Sequence, residues 1–232
     1  MDTDTTKKDW AVVLGKGALG AVPFVGPLIA EVISTLIPNQ RLDRIAKFVE
    51  ALDTKVKELD QQRVKTEFTK PGFIDLLEDG FYQAARALTD ERIDYIASLV
   101  KNGLSDEQFE YIQSKKLLSI LGSLNDTEVI ILVSRARNLR NDKEFLQKHK
   151  AVITPPSAST GSSQEEIDRH TLYTSYQSHL VNLGLLHPRF QRPKKGELPV
   201  FDEKTGMMKA SGYDLTSLGR LLLRHIDQAG SI

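Results

Sequence analysis

Cysteine is missing from this chain of 232 residues. Its absence excludes disulfides, thiolate metal ligands and cysteine nucleophiles, and it suits a reducing cytosol. An excess of charge of either sign is missing too, since 31 Lys+Arg stand against 31 Asp+Glu. A neutral chain lacks the general attraction to nucleic acid or anionic lipid that a basic one exerts. What remains, 40% hydrophobic and 27% charged, is an ordinary globular composition, long enough for one large domain or two small ones.

The first forty residues are the least ordinary. Residues 17–30 carry no charge over fourteen positions and are crowded with Gly and Pro. At a helical rise of ~1.5 Å they span about 21 Å, short of the ~30 Å hydrocarbon core of a bilayer. Extending the window to Ile37 takes in Glu31, which costs about 2.5–3.5 kcal/mol at mid-bilayer. Leu19, Val22, Phe24, Val25, Leu28, Ile29, Val32, Ile33, Leu36 and Ile37 return about 3–6 kcal/mol on the same scale. Gly, Pro, Ser and Thr erode the difference to near zero. A helix from about Pro27 to Ile37, ended by Pro38, therefore reads as part of a bundle core. A conditional membrane segment, hidden at rest, is the sharper alternative. Lys16 interrupts the apolar run and the Gly/Pro stretch offers no clear small-x-small cleavage site, against a signal peptide. The expected location is the cytoplasm, with membrane association only on activation.

Downstream, the pattern is helical. Leu42, Ile45, Val49, Leu52, Val56 and Leu59 alternate steps of three and four, a narrow seam suited to packing inside a bundle. Pro71 opens a helix with Phe73, Leu77, Phe81, Ala84, Ala85 and Leu88 near one face. Thr89-Asp90 caps the next, which carries Ile93, Ile96, Ala97 and Val100 and is expected to end at Asn102-Gly103. Ser105 with Gln108, and Asn125 with Glu128, have the spacing of capping boxes. The Pro/Ser/Thr/Gly stretch 149–163 reads as a flexible linker, and Ser163 leads a helix that ends at Gly184. Leu185–Phe190 and Tyr213-Asp214-Leu215 read as strands, and Thr216 caps a closing helix carrying Leu218, Leu222 and Ile226.

The expected fold is thus mainly α: an N-terminal helical bundle, then an α+β module with a small β-hairpin. Its divisions are an apolar segment at 1–40, the bundle at 41–114, the module's first helices at 115–148, the linker at 149–163 and the rest of the module at 164–232. Helices followed by a hairpin, then Tyr213-x-Leu215-Thr216-x-x-Gly219, resemble a winged helix. Such a module reads DNA by laying its third helix in the major groove. Here that helix offers Arg169, His170, Thr171, Thr174, Ser175, Gln177 and Ser178, a mostly neutral set poor in base-reading groups. Positive charge gathers instead on the hairpin, at Arg189, Arg192, Lys194, Lys195, Lys204 and Lys209. Against Glu197, Asp202 and Glu203 it leaves residues 185–209 at +3. Arg135, Arg137 and Arg140 form a second cluster. These nine bases are the candidate contacts for nucleic acid or a protein partner.

Chemistry of other kinds finds little footing. Gly15-x-Gly17-x-x-Gly20 follows an apolar run, as in a dinucleotide-binding turn. Pro23 and Pro27 then interrupt the helix that must follow, and Asp43 falls in the seam helix where a second strand should supply an acid. The five histidines, His149, His170, His179, His187 and His225, lack metal spacing. Glu78-Asp79 and Glu165-Glu166 are neighbours on helices, where adjacent side chains diverge. No enzyme activity, cofactor, metal or small-molecule substrate is expected.

Taken together, Phe73-Ile-Asp-Leu-Leu-Glu-Asp79, the ending Leu99-Val100-Lys101-Asn102, Leu183-Gly184-Leu185-Leu186 and Tyr213-x-Leu-Thr216-x-x-Gly219 resemble the abortive-infection alpha family of bacterial phage-resistance proteins. The resemblance covers most of residues 68–226 and implies a non-catalytic part in antiviral defence. The near-balanced segment 17–37, beside a complete soluble fold, adds the expectation of a toxin-like action on a membrane or partner through those residues. A winged-helix transcriptional regulator and a scaffold that self-associates through the seam are the alternatives.

Overall fold

The computed structural model describes residues 41–229 apart from 106–109, 138, 140–141, 155–158, 160, 191–192, 194–195, 197, 202–205 and 207. The apolar segment 17–37, its ten named side chains included, lies outside the described residues, as does the capping box expected from Ser105 and Gln108. Nine helices and one two-stranded antiparallel sheet occur among the described residues, so the fold is mainly α with a small hairpin. The described residues form two compact units, one of residues 41–123 with His225–Asp227, the other of Leu124–Arg224 and residues 228–229. The division falls at Ser123, nine residues after the expected 114, because the helix there packs within the first unit.

In the first unit, α1 (Leu42–Val56), α2 (Gln61–Glu67), α3 (Pro71–Arg86), α4 (Asp90–Ser105) and α5 (Tyr111–Ser123) enclose one core. Ile45, Val49, Leu52 and Val56 of the seam are buried, and Phe48 joins them at 0% exposure. The buried stripe is therefore wider than a two-position heptad seam, as expected of a helix inside a globular unit. Helix α4 is its main cover, with α3 alongside. Phe48 meets Phe81 edge to face at 5.3 Å, and Phe68 meets Phe73 at 4.7 Å, contacts worth about 0.5–1.5 kcal/mol beyond their burial.

Two expected boundaries move. The seam helix stops at Val56, short of Leu59. Asp60 begins α2 by accepting from the amides of Gln62 and Arg63 at 2.8 and 2.9 Å, while the Gln61 amide nitrogen donates to the carbonyls of Val56 and Leu59. Local caps override the apolar period here. Helix α4 instead runs through Asn102-Gly103 to Ser105. Burial of Leu104 at 3% rewards that extra turn, against about 1 kcal/mol for glycine in a helix interior.

The second unit contains α6 (Asp126–Ala136), α7 (Lys143–Ile153), α8 (Gln164–Asn182), β1 (Leu186–Phe190), β2 (Ala210–Leu215) and α9 (Ser217–His225). Helix α6 opens with the expected Asn125/Glu128 capping box, and α8 with one of Ser163 and Glu166. Helix α7 corrects the expected linker: residues 149–153 are helical. Its start is fixed by Asp142, whose side chain accepts from the Phe145 amide at 3.0 Å and from Arg137 at 2.7 Å.

Gly184 takes φ +71° after α8 and turns the chain into β1. The strands pair with Leu186 opposite Leu215, and a register shift falls between Arg189 and Phe190. At the base of the hairpin, Thr216 Oγ1 donates to the Gly184 carbonyl at 2.7 Å and accepts from the Gly219 amide at 3.0 Å. A Cβ on Gly219 would stand 2.5 Å from the Leu185 carbonyl oxygen. The Thr-x-x-Gly spacing is thus a packing requirement.

Gly219→Ala should therefore destabilise the protein by about 1–3 kcal/mol, because the clash is with backbone; thermal unfolding measures it, and an unchanged midpoint would refute the constraint. A second expectation concerns pH. The Asp75 carboxylate, hydrogen-bonded to Lys115, raises the lysine's pKa above its ordinary 10.5, and Asp79 adds to it. A raised pKa means stability fully present below 10.5 and lost as pH rises through the folded value. Denaturant unfolding should show the difference between wild type and Lys115→Met shrinking in that alkaline range. A difference constant with pH would contradict it.

Candidate functional site

Helix α8 is a 19-residue helix that buries only Tyr173 and Leu180. Its C-terminal half is held down and its N-terminal half is not: residues 164–172 are all exposed. Within that free half, Glu165, Glu166 and Asp168 outnumber Arg169, which pairs with Glu165. The exposed half of the helix expected to meet a DNA groove thus carries more acids than bases.

The anchoring of α8 rests on a polar contact. Glu128 of α6 is buried at 3%, and its Oε1 lies 2.7 Å from His179 Nδ1 of α8. The other oxygen, Oε2, accepts from the Asn125 amide at 2.8 Å, closing the capping box. One carboxylate thus terminates α6 and ties α8 to it. Sequence spacing pointed to the cap, but the partner 51 residues away carried no local signal.

The nine candidate bases fare unequally. Arg137 is engaged inside the unit: it pairs with Asp142 at 2.7 Å, its guanidinium lies 4.5 Å from the Phe145 ring centroid, and it donates to Gln228 at 3.0 Å. Arg137 is thereby a clamp on α7. Asp142, in turn, has its pKa held below 3.8 by Arg137 and by the Phe145 amide. Arg135 is exposed on α6. Arg189 and Lys209 are exposed on the same hairpin, with Arg189 3.2 Å from Asp214 of β2. Arg140, Arg192, Lys194, Lys195 and Lys204 lie outside the described residues.

Charge alone misses the hairpin's other character. Phe190, Leu198, Val200, Phe201 and Met208 are all exposed, Leu198 at 86% and Val200 at 68%. Phe201 pairs across with Met208, and the Lys209 amide donates to the Val200 carbonyl at 2.8 Å. One bridge and one hydrogen bond thus continue the pairing beyond the register shift. Its sequence signals were Leu198-Pro-Val-Phe201 and Met207-Met208, apolar pieces set among the charges.

In the first unit, a depression of 430 Å³ lies along α1 and the start of α4. Lys47–Asp90 at 2.7 Å and Lys55–Asp94 at 2.9 Å pair across it, and Glu50 and Thr54 also line it. Ala51 and Ile93 are the apolar residues among those lining it. No group of three or more His, Asp or Glu able to hold a metal occurs among the described residues. No single helix among them is long and apolar enough to cross a membrane.

Removing His179 leaves a buried carboxylate with one partner fewer. Because the ring is 39% exposed, His179→Ala should cost about 1–2 kcal/mol. Hydrogen exchange should quicken along α8 while the core amides of α1 and α4 keep their protection. Unchanged exchange in α8 would remove the anchoring role.

Comparison of the chain with protein-family models, with curated proteins and with solved structures gives no match.

Proposed function

We propose that this is a non-catalytic interaction protein of the bacterial abortive-infection type, in which residues 17–37 act on a membrane or partner and the second unit docks or senses. The observation that carries this reading is the unspent surface of the second unit. Half of α8 and an apolar, basic hairpin stand outside a unit whose core is otherwise closed. Surfaces that a fold leaves uncovered at this cost are interaction surfaces. The winged-helix resemblance, the cytoplasmic location and the self-association or protein partner belong to the same proposal.

Two features favour it over the alternatives. A DNA-binding regulator would bring Glu165, Glu166 and Asp168 toward phosphates, and that repulsion opposes the attraction of the hairpin bases. A scaffold joined through the seam would need Ile45, Val49, Leu52 and Val56 on its surface, and these are buried at 6% exposure or less.

In bacteria expressing the protein under phage challenge, growth should stop with the wild-type chain and continue with Leu28→Asp/Ile33→Asp. Liposome leakage by the purified protein should follow the same order. Absence of toxicity and leakage, even with a phage trigger present, would sink the membrane-acting version.

A further inference from the structure

We infer that α7 is a releasable amphipathic helix, which leaves α6 to lie on an anionic lipid bilayer. Membrane docking by α7 rests on the reading of the second unit as the part that docks, and it needs nothing from residues 17–37. Phe145, Leu146, His149, Val152 and Ile153 of α7 are half-buried, while Lys143, Glu144, Gln147, Lys148 and Lys150 are exposed. Steps of one and three residues set the half-buried group along one side of the helix. Lys148 and Lys150 stand one turn from Val152 and Leu146, on opposite borders of that stripe. A kink at His149, where φ is −113° and ψ 15°, divides the helix, and the same sidedness holds before and after it.

The stripe is covered without being sealed. Helices α6, α8 and α9 bury Leu132, Leu180 and Leu222 at 0% exposure, whereas α7 has no fully buried residue. Its main neighbour is α6. Its N-terminal end is held by Arg137, which pairs with Asp142 and lies over the Phe145 ring. Elements with few buried apolar contacts open locally at a free energy well below that of global unfolding. Departure of α7 uncovers part of α6, so release becomes populated only where the stripe meets another apolar surface.

Charge selects that surface. Three lysines oppose Glu144 along the helix, all of them exposed. A nucleic-acid backbone rewards the lysines and leaves the stripe in water. A protein groove that encloses the helix takes Glu144 and Gln147 out of water along with it. A bilayer interface meets one side only: the stripe enters the acyl boundary, the bordering lysines reach the headgroups, and Glu144 and Gln147 stay solvated. Each lysine held near an anionic surface adds to the attraction.

Because the chain has no cysteine, one introduced thiol is the only labelling site. An environment-sensitive fluorophore is placed in separate proteins by Val152→Cys on the stripe, Gln147→Cys opposite it and Ser178→Cys on α8. With mixed phosphatidylcholine–phosphatidylglycerol vesicles, doxyl lipids should quench the label at 152 more than that at 147, and leave 178 unquenched. Binding should weaken with salt and fall about tenfold or more in Lys143→Glu/Lys150→Glu, whose side chains are exposed and support no packing. Arg137→Ala, which loosens the resting position of α7, should bind severalfold more tightly. The label at 152 should still be quenched in Leu28→Asp/Ile33→Asp.

Failure to bind these vesicles would overturn the proposal, and so would equal quenching at 147 and 152. Unchanged or weaker binding by Arg137→Ala would overturn release. Vesicle binding that leaves 152 unquenched, or that disappears in Leu28→Asp/Ile33→Asp, would assign the contact to another segment and leave the reading of residues 17–37 standing. A response of the label at 152 to duplex DNA or to an acidic polypeptide, with none to vesicles, would replace the bilayer as the occupant.

Discussion

Helix α1 can remove Ile45, Phe48, Val49, Leu52 and Val56 from water on one side only, and the first unit is arranged around that constraint. Its cover comes chiefly from α4, which follows more than thirty residues later and is itself buried at Ile93, Ile96, Ala97, Leu99 and Val100. Each such side chain contributes about 1.5–3 kcal/mol when buried, so neither helix is stable in that form without the other. Helices α3 and α5 then close the remaining faces, and Phe81 fits against Phe48 only because α3 lies alongside α1. Short connections follow from this packing: Asp60 and Pro71 start new helices where the chain must turn back to keep its apolar side inward.

The second unit is organised by polar contacts and backbone proximity rather than by a large aromatic core. Glu128 joins the cap of α6 to His179 of α8, and Arg137 joins Asp142 to the Phe145 ring of α7. Thr216 and Gly219 bring α9 against the turn before β1. With these connections the unit holds its helices and the base of its hairpin while leaving residues 164–172 of α8, and Val200, Phe201 and Met208, exposed. Surface left free in this way is what an interaction protein needs. The exposed groups are acidic and apolar on α8, Ile167 and Leu172 among them, and apolar with basic on the hairpin.

Much of this was legible in advance because it is local. The Asn125/Glu128 box, Ser163 at the head of α8, Pro71 at a helix start, Gly184 after α8 and the strands ending in Phe190 and Leu215 depend on residues within a few positions of one another. Helix α7 escaped notice because its start relies on Asp142 and Arg137 together, while the nearby prolines and serines read as a linker. Helix α2, seven residues with Val64 buried, is too short to show an apolar period of its own. The candidate site was legible as charge and not as apolar exposure, because Phe201 and Met208 have the same composition whether covered or bare.

By itself the amino-acid sequence determined the mainly helical character, most element types and the lack of thiol chemistry, since these follow from short-range periodicity, caps and composition. Tertiary structure alone decided which apolar residues are covered, that His179 is the partner of Glu128, and that Arg137 is a clamp where Arg189 is a surface cation. Burial and pairing are set by groups distant along the chain. The opening neutrality of 31 against 31 therefore described the whole molecule correctly and none of its surfaces.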